Sequence, residues 1–100
     1  MNKITYDARC EVYRKAIERW GDLQIIVAIE EMSEVIKALT KFWRCPIEDA
    51  DVSQLHDIAE EVADATIMLE QLRLIFGIND EVCKVMDSKI ERLKARVSDA

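Results

Sequence analysis

Residues 22–43 read DLQIIVAIEEMSEVIKALTKFW, and this stretch decides the fold. Val27, Ala28, Val35, Ala38 and Phe42 recur at steps of three, four and seven, the spacing of one helical face. No Gly or Pro interrupts the run, which makes a rod about 33 Å long at 1.5 Å per residue. Glu31 and Glu34 fall on that same stripe, whereas a surface helix would carry its acids on the opposite face.

The arrangement recurs downstream. Glu60-Glu61-Val62-Ala63-Asp64 repeats the order of Glu30-Glu31-Met32-Ser33-Glu34: two adjacent acids, then a third three residues on. It lies in an expected helix from about 52 to 76. A stripe through Leu55, Ile58, Val62, Ala65, Leu69 and Leu72 is the expected core face, with Asp57, Glu61, Asp64, Met68 and Ile75 on a neighbouring line. A first helix is expected over about 5–19, capped by Thr5 and ended by Gly21, with Val12, Tyr13, Ala16, Ile17 and Trp20 on its apolar face. Asp22 is the expected cap of the second helix. Asn79 is that of a fourth, whose inner face is Val82, Val85, Met86, Ile90, Leu93 and Val97. Pro46 marks the clear break, residues 44–50, and Glu48, Asp49 and Asp51 favour a turn and an acidic helix start.

With 2 Gly, 1 Pro and no alternating β-branched runs, the chain reads as all-α: one helical domain over residues 1–100, a four-helix bundle. Half of it is hydrophobic, more than so small a bundle buries, so completion by self-association is expected, as a homodimer or homotetramer. There are 20 acids and 14 bases, a net charge of -6. The two clusters hold six acids, which accounts for the whole excess. Such a chain repels nucleic acid, and no basic run with interleaved aromatics argues otherwise. Cys10, Cys45 and Cys83 lack metal-ligand spacing. With no signal peptide and no apolar run long enough to span a membrane, a cytoplasmic protein with reduced thiols is expected.

Neither acid pair has Lys or Arg four residues on: positions 35, 38, 65 and 68 are Val, Ala, Ala and Met. A solvated acidic face is the ordinary explanation for one such cluster, but two matched ones within apolar stripes argue against it. If the two long helices pack antiparallel, four carboxylates surround one cavity. A hard divalent cation offsets their repulsion and desolvation. The single His56 does not fit the Glu-x-x-His step of redox-active iron bundles, so all-oxygen ligation points to Mg²⁺, with Mn²⁺ as the substitute.

The order Glu31-x-x-Glu34, Glu61-x-x-Asp64, then Lys89-Ile90-Glu91-Arg92-Leu93 with Arg96, resembles the MazG-like all-α nucleoside triphosphate pyrophosphohydrolases. Trp20-Gly21 and Gln24 before the first cluster and Phe76-Gly77-Ile78 after the second resemble the short phage-type and Gram-positive members. The resemblance implies a Mg²⁺-dependent hydrolase that cleaves a (d)NTP between the α- and β-phosphates to (d)NMP and pyrophosphate. It implies that Glu31, Glu34, Glu61 and Asp64 hold the metal, with Glu30 and Glu60 outside them or Glu30 orienting a water. Lys89 and Arg92 are candidates for phosphate contacts, although bases near a helix C-terminus also complement its dipole. Lys41 could reach a phosphate or stay solvated. Trp20 and Gln24 could meet a nucleobase by stacking and hydrogen bonding, or Trp20 could be plain core. The phosphoribosyl-ATP pyrophosphatases share the acid pattern in a more Ser/Gly-rich setting. The alternative from another class is a non-catalytic helical regulatory or assembly module that binds nucleotide or metal.

Overall fold

The computed structural model describes residues 3–46 and 51–99. Four helices fill it: α1 (Tyr6–Trp20), α2 (Leu23–Arg44), α3 (Val52–Ile75) and α4 (Asn79–Ser98). No strand occurs among the described residues, so the all-α expectation holds. Glu48, Asp49 and Ala50 of the expected break lie outside the described residues.

Local chemistry sets most boundaries. The Thr5 hydroxyl accepts from the Ala8 N–H at 3.1 Å. The Asp51 carboxylate accepts from the Gln54 N–H at 3.1 Å, and the Gln54 side chain accepts from the Asp51 N–H at 3.4 Å. These two bonds make a reciprocal capping box. The other two expected caps differ. Asp22 makes no side-chain cap bond, because the Gln24 and Ile25 N–H groups it would serve already donate to the carbonyls of Gly21 and Asp22, at 3.1 and 3.0 Å. The cap position of α4 is Ile78, and Asn79 is the first helical residue. Gly77 (φ 63°) forms a Schellman turn between α3 and α4: its N–H reaches Leu74 O at 3.2 Å, and the Ile78 N–H reaches Arg73 O at 2.9 Å. That backbone is open to glycine at little cost.

The α2–α3 interface is the largest among the described residues, and it runs antiparallel in steps of seven. The Gln24 amide donates to Gln71 Oε1 at 2.8 Å. One heptad on, Glu31 meets Asp64. One heptad further, Ala38 and Asp57 line one small cavity. Gln24, Ala28, Ala65, Met68 and Gln71 are the buried members of this seam. α1 is fastened to α3 by polar contacts. The Arg9 guanidinium donates to both Glu70 oxygens, at 3.3 and 3.1 Å, and the buried Tyr13 hydroxyl donates to Glu70 Oε1 at 2.7 Å.

The expected core faces are covered only in part. Leu55, Val62 and Leu69 are 57%, 46% and 46% exposed, because α3 turns the neighbouring line, with Glu61, Asp64 and Met68, toward α2. On α2, Ile29, Ile36, Leu39 and Trp43 are exposed, and on α1 Val12 and Trp20 are. No residue of α4 is buried. The radius of gyration is 16.8 Å, against about 13 Å for a compact domain of this length. Among the described residues the four helices therefore leave much apolar surface uncovered. No helix among the described residues is long and apolar enough to cross a membrane.

Candidate metal centre

The α2–α3 register builds the centre. Two positions of the seam that an ordinary helix pair fills with apolar side chains hold Glu31 and Asp64, and Glu61 sits one turn before Asp64. Glu31, Glu61 and Asp64 each offer a carboxylate oxygen, and these oxygens lie within 4.8 Å of one another. Glu31 and Glu61 are half-buried and Asp64 is exposed. Among the described residues no ion pair involves any of the three.

The electrostatics are one-sided. Desolvation, and then the charges of Glu34, Asp64, Glu31 and Glu60, all push the Glu61 carboxyl above its ordinary range. The donor set is all oxygen, carries concentrated negative charge and opens to solvent on the Asp64 side. It fits a hard divalent ion rather than a soft one.

Of the four expected ligands, three are brought together. Glu34 is exposed on the flank of α2, close enough to act on Glu61 but outside the 4.8 Å cluster. Glu30 is exposed. Glu60 points away from the centre, since its Oε1 meets His56 Nε2 at 2.9 Å. Gln24 is not available to a nucleobase, because it is buried and hydrogen-bonded to Gln71. Trp20 is 52% exposed at the end of α1, so it is not plain core. Lys89 and Arg92 are exposed on α4. The depression Lys89 lines is built from Ile78, Glu81, Val82, Val85 and Met86, away from the acids in sequence and in helix. Lys41 lines a cavity with Lys37, Thr40, Arg44, Cys45 and Gln54. Cys10 is buried, Cys45 half-buried and Cys83 exposed, all as free thiols.

Sequence reasoning missed Gln71 and Glu70. Gln71 is findable, since it stands one heptad beyond Asp64 as Gln24 stands one heptad before Glu31. Glu70 carries no local signal, because its partners lie 57 and 61 residues away. No family model, curated protein or solved structure matches the chain.

Proposed function

We propose that this chain is a Mg²⁺-dependent nucleoside triphosphate pyrophosphohydrolase of the MazG-like kind, cleaving between the α- and β-phosphates. The observation that carries the reading is the convergence of Glu31, Glu61 and Asp64 from two helices, none of them ion-paired among the described residues. Carboxylates kept together against their mutual repulsion are explained by an ion that binds between them.

In this reading Glu31, Glu61 and Asp64 hold Mg²⁺ through oxygen, and Glu34 adds a further carboxylate from the next turn of α2. When bound, the ion neutralises phosphate charge and acidifies water. Glu30 orients the attacking water. Lys41 contacts a phosphate, and Trp20 offers a ring to the base. Positioning and charge stabilisation then supply most of the rate. The uncovered apolar side chains of α2, α3 and α4 support a homodimer or homotetramer as the working unit.

The test uses purified protein, Mg²⁺ and a panel of NTPs and dNTPs. Mg²⁺ raises the melting temperature by linkage, pyrophosphate is released, and Glu34→Gln or Asp64→Asn abolishes release. A melting shift without pyrophosphate from any nucleotide selects the non-catalytic regulatory or assembly module instead. Absence of both effects removes the metal centre from consideration.

A further inference from the structure

We propose that Lys37, Lys41 and Arg44 form a seat for a polyphosphate tail, the β- and γ-phosphates of the substrate and the pyrophosphate that leaves. The inference rests on the pyrophosphohydrolase reading and gives it a direction along α2.

Residues 30, 34, 37, 41 and 44 alternate steps of four and three, so they share one flank of α2. That flank is divided by charge: Glu30 and Glu34 come first, then Lys37, Lys41 and Arg44. From Glu34 to Lys41 the rise is about 10 Å, within reach of a triphosphate held by long, flexible side chains. The three cations line an open cavity of about 560 Å³ with Thr40, Cys45 and Gln54. Among the described residues none of the three is ion-paired.

Helix stability accounts for only part of the row: Glu34 supports Lys37 from three residues before it. Like charges four residues apart, as Lys37 and Lys41 are, destabilise a helix. The dipole favours cations only in the last turn, which includes Lys41 and Arg44 but not Lys37. The Asp51 carboxylate, the α3 cap that accepts from Ser53 Oγ at 2.8 Å and from the Gln54 N–H at 3.1 Å, also feels the Lys41 charge. Asp57 shares a small cavity with Lys41, and no carboxylate among the described residues is ion-paired to Arg44. Three separate cations on one flank suit a chain of linked phosphates rather than a single phosphate: Arg44 offers a fork and the lysines two point charges. The scissile bond then lies at the carboxylates, and the leaving pyrophosphate extends toward the C-terminus of α2.

The test compares wild type with Lys37→Gln, Lys41→Gln, the triple Lys37→Gln/Lys41→Gln/Arg44→Gln, and a control, Lys15→Gln on α1. The expected result is a KM for the best triphosphate raised roughly tenfold by Lys41→Gln and further by the triple variant. The Mg²⁺-induced melting shift stays within about twofold, because the carboxylates are untouched. Inorganic tripolyphosphate competes with nucleotide on the wild type and on Lys15→Gln but not on the triple variant. Unchanged KM values, or equal inhibition of all variants by tripolyphosphate, overturn the proposal while leaving the hydrolase reading intact. If the wild type turns over no nucleotide, calorimetric titration of tripolyphosphate decides alone. Binding lost in the triple variant upholds the seat without the enzyme, and no binding by the wild type removes it.

Discussion

Replacing Gln24 with Leu tests what sets the register of the centre. Gln24 and Gln71 are 7% and 5% exposed, and each is the other's amide partner at 2.8 Å. Gln71 has one other contact, a long one from its Nε2 to Met68 Sδ at 3.4 Å. Gln24→Leu leaves the Gln71 carbonyl buried without a donor, a loss of about 1–1.5 kcal/mol, at the low end of such penalties. Gln71→Leu strands Gln24 in the same way. The double variant strands neither and gains apolar contact, so its stability returns to within about 0.5 kcal/mol of wild type. The coupling energy is then about 2–3 kcal/mol. Urea unfolding at fixed protein concentration measures all four proteins. With a slope near 1 kcal/mol per molar urea, each single variant moves its midpoint down by about 1–1.5 M. The double variant is stable, yet it no longer specifies which heptad of α2 meets which of α3, because an apolar seam accepts a slip that a paired polar one forbids. Its Mg²⁺-induced melting shift therefore shrinks despite intact acids. Single variants as stable as wild type would refute the buried amide pair. A stable double variant with an undiminished Mg²⁺ response would refute its role in alignment.

Two further expectations concern the rest of the chain. Burial alone would raise the Glu70 pKa, but hydrogen bonds from Arg9 and Tyr13 and the Arg9 charge outweigh it and hold the carboxyl below its ordinary value. Glu70 thus stabilises the fold above the unfolded pKa and loses that contribution as pH falls through the lower folded value. Melts from pH 6 to pH 3 decline in wild type, and a flatter decline in Glu70→Gln checks it. Ile36→Glu, on the uncovered stripe of α2, lowers the mass seen by sedimentation equilibrium at micromolar concentration if that stripe is a subunit contact; wild type and variant both monomeric would exclude it.

Helix number, helix ends and the acid pairs were legible in the sequence because they depend on short-range chemistry. Pro46, Gly21, Gly77, Thr5 and Asp51 act on their own neighbours, and a three-residue step fixes a face wherever the helix lies. The face that α3 turns to α2 was not legible. Leu55–Val62–Leu69 is a good apolar stripe by spacing, but the rotation of α3 is decided by what α2 offers opposite. That side holds Gln24, which pairs with Gln71 rather than with a leucine, and Glu31, which lies beside Glu61 and Asp64. The same limit explains Gln24, which reads as a free amide until Gln71 is placed beside it. Glu34 marks the border of the site: local spacing pairs it with Glu31, while the pitch of α2 carries it to the flank.

The fastening of α1 bears on errors of alignment elsewhere. Glu70 is the immediate neighbour of Gln71, so anything that shifts α3 along α2 also carries Glu70 past Arg9 and Tyr13. A slip of one heptad displaces it by about 10 Å, which strips a half-buried carboxylate of both its donors and leaves a buried phenol unpaired. The N-terminal segment thus serves as a second, independent lock on the hairpin: a mis-zipped pair of rods would have nowhere to dock it.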